Sequence, residues 1–311
     1  MRTARLGEAG VELSALCLGC MFFGTRVDEA TSMRLLDRYI EAGGSFLDTA
    51  NNYAFWVEGG QGGESEALLG RWMRRRGNRD RVFVATKVGG APGEELSHAA
   101  INAAVDGSLR RLGTDHVDLY YAHVDHRSVP LEETLGAFGE LVSAGKVRYI
   151  GCSNYAAWRL ERARRTSDAH GLPRYCCIQQ RHSYLRPRHG TSFPTQLVAD
   201  DGLLDFCRAN PEVTLLAYSP LLSGAYTVPD RGFPEQYLGA DTDARLAALQ
   251  RVAEAAKASA NQVVLAWLMA STPSALPLIG ASNEAQLDDN LGALKIELSN
   301  EQLKTLNAAS A

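Results

Sequence analysis

Four residues in the first half of the chain have side chains that together suit proton transfer: Asp48, Tyr53, Lys87 and His123. Asp48 ends the apolar run of FLDTANNY, and Tyr53 follows five residues later. Lys87 ends VFVATK, and a lysine at the end of such an apolar segment is costly to bury without a carboxylate partner. We predict that Asp48 supplies this carboxylate.

The chemistry that this set predicts is proton donation to a carbonyl oxygen. A phenol is a weak acid near neutral pH, so Tyr53 needs a neighbouring cation to stabilise its phenolate. A unit charge at ~4 Å contributes roughly 4 kcal/mol, so we expect Lys87 to lower the pKa of Tyr53. A neutral His123 would donate a second hydrogen bond to the same oxygen. The set supplies no hydride, so a cofactor must, and Tyr218 offers a flat face for a nicotinamide ring.

Each of these residues also has an ordinary structural explanation when it is taken alone. Asp48 suits a turn cap, Tyr53 a loop aromatic, and His123 a core histidine with satisfied hydrogen bonds. One histidine and one aspartate do not fill the coordination shell of zinc or magnesium, so we predict no metal. The prediction of an active site therefore depends on the fold that gathers the set.

The elements that must position the set alternate between apolar strands and amphipathic helices. We predict strands over residues 15–19, 45–50, 82–87, 117–123, 147–153, 176–180, 214–219 and 275–280. We predict helices over residues 28–42, 64–76, 98–112, 131–144, 156–170 and 200–209, a longer pair over 242–270, and a last helix near 283–292. Strands that are apolar throughout, each followed by a helix, indicate a parallel sheet covered on its outer face.

Eight such units predict an α/β fold, a (β/α)8 TIM barrel, as a single domain over residues 1–311. Two short apolar pieces around Glu8-Ala9-Gly10 predict an N-terminal β-hairpin that plugs the barrel bottom, and the surplus length fits extra C-terminal helices. Residues 221–241, rich in Gly and Pro, predict a long functional loop. A doubly wound sheet is the alternative fold, but no glycine fingerprint follows the first strand.

In such barrels the active site lies at the C-terminal ends of the strands. The predicted strand ends are mostly polar or ionisable, namely Asp48, Lys87, His123, Ser153 with Asn154, Gln179, Tyr218 and Gly280. The barrel would therefore gather the proton-transfer set at one mouth.

The composition limits the partners of the protein. A net charge of −4 and a pI near 6.0 give no general attraction for nucleic acid or anionic lipid, so we expect a small-molecule substrate. No secretory signal follows Met1 and the longest apolar run, 263–270, is too short to span a membrane, so we expect a cytoplasmic protein. Six cysteines without disulfide or zinc spacing predict buried, reduced thiols. The oligomeric state is not predicted.

The sequence resembles the aldo-keto reductase superfamily over nearly its whole length. The stretches that carry the resemblance are LGCMFFG, FLDTANNY, GESEALLGRWM, VFVATK, DLYYAH, PLEETLGAFGELVSAGKVRYIGCSNYAAWRL, LLAYSPLLSG and LPLIGASNEAQLDDNL. The resemblance implies the barrel fold and a catalytic set of Asp48, Tyr53, Lys87 and His123. In this set Tyr53 is the expected general acid, and Asp48 positions Lys87.

The resemblance also implies a nicotinamide cofactor that lies extended across the barrel top. Ser153, Asn154 and Gln179 match the residues that hold the carboxamide, with Tyr218 beneath the ring. The pyrophosphate loop is matched by Ser219, Pro220, Leu221, Ser223 and Gly224, and the adenosine end by Gly280, Ser282, Gln286 and Asn290. The family habit implies NADP(H) in preference to NAD(H), although Gly280 and Gln286 stand where strongly NADPH-preferring members often carry Lys and Arg.

The segment AFWVEGGQGGESE after Tyr53 is longer than is usual for this family. Its glycines at 59, 60, 62 and 63 suit a flexible loop better than a phosphate cradle. Four aromatic residues in this loop and in the loop after the first barrel strand either wall the substrate pocket or are ordinary packed aromatics: Phe22, Phe23, Phe55 and Trp56.

The leading functional prediction is an NAD(P)H-dependent oxidoreductase that reduces an aldehyde or ketone. A sugar or sugar-nucleotide keto-reductase or dehydrogenase is an alternative, and its hint is the basic cluster after the sixth barrel strand, which contains Arg181, Arg186, Arg188 and His189. A nicotinamide-binding regulatory subunit of potassium channels is a second alternative. Because the hairpin begins almost at Met1, without the N-terminal extension that such subunits often carry, we favour the enzyme.

Overall fold

The N-terminal hairpin and the barrel strands are the elements that position the site. The structure is a computed structural model that describes residues 1–7, 10–228 and 230–309. Strands β1 (Thr3–Leu6) and β2 (Val11–Ser14) form an antiparallel hairpin. The barrel strands are β3 (Cys17–Gly19), β4 (Phe46–Asp48), β5 (Phe83–Val88), β6 (Val117–Ala122), β7 (Val147–Ser153), β8 (Cys177–Arg181), β9 (Thr214–Tyr218) and β10 (Ala275–Ile279).

The barrel strands pair in chain order, and β10 closes the barrel by pairing in parallel with β3. Every residue of β4, β5, β6 and β10 is buried, as expected for strands that are covered on both faces. The prediction of eight parallel strands in a closed TIM barrel is confirmed. Strand β3 starts two residues later than predicted, because the N–H of Ala15 donates to Arg2 O in the hairpin.

The helices surround the barrel and follow the strands along the chain. They are α1 (Glu29–Glu41), α2 (Glu64–Arg76), α3 (His98–Leu112), α4 (Leu131–Ser143), α5 (Ala157–His170), α6 (Asp201–Ala209), α7 (Thr242–Ala256), α8 (Ala260–Ala270), α9 (Glu284–Gly292) and α10 (Asn300–Ala308). In α1, Asp28 caps the N-terminus by accepting from Thr31 N, and Leu35, Leu36 and Tyr39 form the buried face.

The prediction that the helix near 283–292 is the last one is wrong, because α10 follows it. The signal for α10 was present in the sequence. Ser299 and Gln302 form a capping box, in which each side chain bonds the backbone of the other residue. Helix α10 is one of the extra C-terminal helices that the fold prediction included.

Two apolar clusters form the core. One lies between the strands and the surrounding helices. The other fills the barrel interior, where Leu6 and Leu13 of the hairpin join Phe46 and Phe83. This contact confirms that the hairpin plugs the barrel, although residues 8 and 9 of its predicted turn lie outside the described residues.

The remaining predictions about the chain concern its loops and cysteines. The described part of residues 221–241 contains only two short 3-10 helices, Leu222–Gly224 and Glu235–Tyr237, so this segment is a long loop as predicted. All six cysteines are free and buried. Within residues 1–7, 10–228 and 230–309, none of the helices has the length and apolar character needed to cross a membrane.

Candidate active site

The C-terminal ends of the barrel strands bring Asp48, Tyr53, Lys87 and His123 into one cluster. Asp48 is the last residue of β4 and lies beside Ala85 of β5. Lys87 lies two residues after Ala85 on β5, opposite Tyr121 of β6. His123 directly follows β6, and Tyr53 returns over the barrel mouth from the loop after β4.

Lys87 is held by three acceptors at the centre of the cluster. Its side chain is fully buried, and its Nζ donates to Asp48 Oδ1, to Thr49 O at 2.8 Å and to Tyr53 Oη at 2.7 Å. An ammonium group has three hydrogens, so these contacts use all of them and fix its position. The Asp48 carboxylate, which is itself 1% exposed, supplies the countercharge that a buried lysine requires.

Asp48 also reaches across the barrel to β8. Its Oδ2 accepts a hydrogen bond of 2.8 Å from Gln179 Nε2, a contact that sequence reasoning missed. This bond uses one of the two N–H groups of the Gln179 amide and leaves the other N–H and the carbonyl oxygen for a cofactor carboxamide. Gln179 thus links the proton-transfer cluster to the proposed cofactor site.

The expected lowering of the Tyr53 pKa is not observed. Burial and then the Asp48 carboxylate, whose Oδ1 lies 3.4 Å from the hydroxyl, raise the pKa of Tyr53 well above its usual value of 10. The physical reason is that burial and the nearby carboxylate both disfavour the charged phenolate. Tyr53 is therefore a neutral phenol at physiological pH, which is the protonation state that a proton donor needs.

His123 is neutral for the opposite reason. Burial, and then the positive charge of Lys87, lower the pKa of His123 from 6.5 to about 3. Its ring meets the Tyr53 ring edge to face, with centroids 5.9 Å apart. The Nδ1 atom is buried without a hydrogen-bond partner among the described residues. Since an orphaned buried N–H is rarer than an orphaned acceptor, we place the proton on Nε2, where it serves as a donor.

Asn154 organises the predicted carboxamide-binding set. It adopts a left-handed backbone conformation with φ of 58° directly after β7. Its Nδ2 donates to His123 O at 3.0 Å and to Ser153 Oγ at 3.1 Å. Its Oδ1 accepts from Tyr218 Oη at 2.9 Å and from Leu197 N at 3.0 Å. These four bonds use both N–H groups and both oxygen lone pairs of the Asn154 side chain, so Asn154 would bind a nicotinamide amide only by exchanging one of them. Its side chain lies beside the partly exposed Tyr218, whose ring the sequence predicts beneath the nicotinamide.

The loop after β9, predicted to cover the pyrophosphate, is a tight turn. Ser219, Leu222, Ser223 and Gly224 all have left-handed φ values, of 52°, 47°, 60° and 87°. The N–H groups of Leu222 and Gly224 donate within the loop, to Ser219 O at 3.2 Å and to Leu221 O at 2.8 Å. A hydrogen bond of 2.5 Å, which Ser183 Oγ donates to Pro220 O, attaches this loop to the segment after β8.

The predicted adenosine end lies beyond β10. Gly280 is exposed, and a Cβ atom built on it would meet nothing within 4 Å. The side chain of Gln286 already bonds to a neighbouring residue, because its Oε1 accepts hydrogen bonds from the N–H and the hydroxyl of Ser282, each at 2.9 Å. Asn290 is buried and its Nδ2 donates to Gly280 O at 3.0 Å. These residues form an open, uncharged surface that leaves room for a nucleotide.

The four aromatic residues predicted at the pocket separate into two groups. Phe55 and Trp56 are 37% and 46% exposed, and their rings meet edge to face at 5.0 Å. Trp56 also meets the Tyr53 ring at 6.4 Å. Phe22 is partly buried, whereas Phe23 lies in the core at 1% exposed and presents no surface to a ligand.

The basic cluster after β8 does not form one site. Arg181 is partly buried, donates to Tyr237 Oη and Gln196 Oε1, and lies over the Phe193 ring. The other three basic residues, Arg186, Arg188 and His189, line a shallow surface groove with residues 238–241. Arg181 is therefore occupied inside the fold.

The closed barrel and this cluster at its mouth together define a class of protein, the TIM barrels with ionisable side chains at the C-terminal ends of their strands. The Aldo/keto reductase family model matches residues 15–311. The chain is 35% identical to norsolorinic acid reductase stcV of Emericella nidulans, over 95% of this chain and 78% of the relative. It is 31% identical to aldo-keto reductase yakc [NADP(+)] of Schizosaccharomyces pombe, over 99% of this chain and 91% of the relative.

A solved structure resembles the whole chain. The crystal structure of the thermostable aldo-keto reductase Tm1743 with the inhibitor epalrestat matches with a TM-score of 0.80 and 31% identity, and all of both chains is covered. The chain therefore belongs to the aldo-keto reductase family. Members of this family use nicotinamide cofactors and act on small-molecule carbonyl compounds.

Proposed function

We propose that this chain, as one domain, reduces an aldehyde or ketone to an alcohol with NADP(H), and that Tyr53 is the general acid. The observation that carries the proposal is the position of the Tyr53 hydroxyl. It lies 2.7 Å from Lys87 Nζ, and its ring contacts that of neutral His123. A neutral phenol and a neutral imidazole beside a fixed ammonium group suit proton donation to a carbonyl oxygen.

In this mechanism each residue has one task. Ser153, Asn154 and Gln179 would hold the nicotinamide amide, and the bound cofactor supplies the hydride. Tyr53 donates its proton to the carbonyl oxygen, and the N–H of Lys87 already directed at its hydroxyl stabilises the phenolate that remains. A positioned general acid of this kind accelerates proton transfer by roughly 10²- to 10⁴-fold.

Two further tasks keep the donors in the correct state. Asp48 holds Lys87 so that its N–H points at Tyr53. His123 Nε2–H donates to the same carbonyl oxygen and thereby orients the substrate, which a protonated histidine beside Lys87 would do only at a high electrostatic cost.

The choice of NADP(H) is supported by the relative whose name carries NADP(+). No lysine or arginine stands at positions 280 and 286, so the expected preference over NAD(H) is modest. The aromatic wall of Phe55 and Trp56 beside Tyr53 supports aromatic carbonyl compounds as the substrate class, since stacked or edge-on rings contribute about 0.5–1.5 kcal/mol beyond burial. A cytoplasmic location stays a prediction from the sequence.

The experiment follows the absorbance of reduced nicotinamide with NADPH and NADH in parallel. The substrates are aromatic aldehydes, aliphatic aldehydes, keto-sugars and norsolorinic acid, the compound named for one relative. We expect turnover, faster with aromatic compounds and with NADPH. Tight cofactor binding without turnover in either direction would refute the reductase and favour a regulatory protein.

A further inference from the structure

The loop after β5 folds around a single carboxylate. Glu94 Oε2 accepts hydrogen bonds from three consecutive backbone N–H groups, those of Gly89 at 3.1 Å, Gly90 at 2.9 Å and Ala91 at 3.0 Å. Converging N–H groups of this kind form a nest that ordinarily binds a separate anion. Here the chain supplies the anion itself, so the position of the loop depends on Glu94.

The second oxygen of Glu94 reaches the loop that carries Tyr53. Its Oε1 accepts a hydrogen bond of 2.7 Å from Asn51 Nδ2. Asn51 lies between Asp48 and Tyr53 in the chain, and its own N–H donates to Lys87 O at 3.2 Å. One carboxylate therefore ties the loop after β4 to the loop after β5.

The loop that Glu94 holds packs against the imidazole ring of His123. A Cβ atom on Gly90 would lie 2.2 Å from His123 Nδ1 and within 2.9 Å of two ring carbons. The backbone of His123 is fixed, because its N–H donates to Val88 O and its carbonyl accepts from Asn154. None of the residues that the structure describes forms a hydrogen bond with Nδ1, so packing against Gly90 sets where the ring lies.

We propose that Glu94 is a positioning residue for the proton-transfer pair. Its carboxylate holds the backbone of residues 89–91 in contact with the His123 ring. Through Asn51, it also fixes the loop that carries Tyr53. The inference rests on the proposed function, since it assigns a task to Glu94 only if His123 and Tyr53 act on substrate.

Glutamine is a poor test of this arrangement, because it can keep both ties. Its carbonyl oxygen can accept from the nest, and its NH2 group can donate to Asn51 Oδ1, which has no hydrogen-bond partner among the described residues. Alanine has no polar side-chain atom, so it removes the tie to the nest and the tie to Asn51 together. The charged or titratable groups near the His123 ring are Tyr53, Lys87 and, across the loop backbone, Glu94 and His126, which bonds Gly89 O at 2.7 Å.

The test compares Glu94→Ala with the matched control Glu95→Ala, which removes the same side chain from an exposed neighbouring residue. NMR of the histidine ring C–H signals follows His123 between about pH 5 and pH 8 in the full chain. A His123→Asn variant assigns its signal. We expect His123 to stay neutral in the wild type and in Glu95→Ala, and to titrate nearer 6.5 in Glu94→Ala because its ring is released toward solvent.

The kinetic readout is the split between kcat and cofactor KM. We expect Glu94→Ala to lower kcat by roughly 10- to 100-fold, because a misplacement of about 1 Å costs this much, with the cofactor KM unchanged. A variant that loses only melting temperature, with His123 not titrating and kcat intact, would overturn the inference.

Two precautions keep the outcome interpretable. If Glu94→Ala does not fold, Asn51→Ala breaks the tie to the loop that carries Tyr53 and leaves the nest. An unchanged kcat in that variant would then overturn the inference. Because the NMR readout needs no turnover, a wild type without reductase activity would count against the proposed function, and the His123 signals would still judge the role of Glu94.

Discussion

Replacement of His123 by asparagine should change how the stability of the protein depends on pH. His123 has a pKa of about 3 in the folded protein because of burial and the nearby Lys87 charge. In the unfolded chain its pKa returns to about 6.5. Between these two values the unfolded chain binds a proton that the folded protein does not bind.

The sign and size of the effect follow from this difference. Above about pH 6.5, where His123 is neutral in both states, it does not change the free energy of unfolding. As the pH falls toward about 3, the unfolded chain takes up the proton, and the free energy of unfolding decreases progressively. At about pH 5 the solution lies about 1.5 pH units below the unfolded pKa, so the loss is about 2 kcal/mol. His182, whose pKa burial and then Arg245 lower to about 4, adds a similar loss, but it is present in both proteins and cancels in the comparison.

The assay is urea unfolding of the wild type and His123→Asn at about pH 7.5 and about pH 5. We expect acidification to lower the free energy of unfolding of the wild type by about 2 kcal/mol more than that of the variant. If the two proteins lose the same free energy, within about 0.5 kcal/mol, then His123 does not have a depressed pKa. Its role as a neutral donor would then lose its physical basis.

Three further substitutions test other parts of the site. Lys87→Met should lower the free energy of unfolding, measured in urea, by about 3–5 kcal/mol, because Asp48 becomes an unpaired buried charge. The control Arg2→Met, which breaks an exposed ion pair, should lower it by at most about 1 kcal/mol. Equal losses in the two variants would contradict the argument from burial. Trp56→Ala should lower kcat/KM for an aromatic aldehyde by roughly 3- to 10-fold and leave a short aliphatic aldehyde unaffected, so equal effects would exclude ring contact. Gly280→Lys, for which the surface has room, should tighten NADPH about 10-fold relative to NADH in a fluorescence titration, and an unchanged ratio would place the 2′-phosphate elsewhere.

The barrel was predictable because its strands are apolar along their whole length. A segment such as VFVATK, buried at every position of β5, reads as a strand covered on both faces. Parallel strands place their C-terminal ends on one side, so residues such as Asp48, Lys87 and His123 are brought together by topology alone. Extra C-terminal helices were predicted, but the bounds of α10 were not, because its capping signal is short and local.

The interactions between side chains were less accessible from the sequence. The bond from Gln179 to Asp48 crosses the barrel, and no periodic pattern in the sequence specifies it. The acid in GGAPGE gives no sign that Glu94 will fold back on three N–H groups. The raised pKa of Tyr53 depends on its burial and on the closeness of the Asp48 carboxylate, which only the three-dimensional positions define.

The most direct test of the account is the kinetics of Tyr53→Phe beside its cofactor affinity. The variant removes one hydroxyl and keeps the ring that contacts His123. We expect turnover to fall by at least about 100-fold, since proton donation is lost, while the Kd for NADPH by fluorescence titration stays within about twofold of the wild type. Comparable turnover in the variant and the wild type would contradict the assignment of Tyr53 as the general acid.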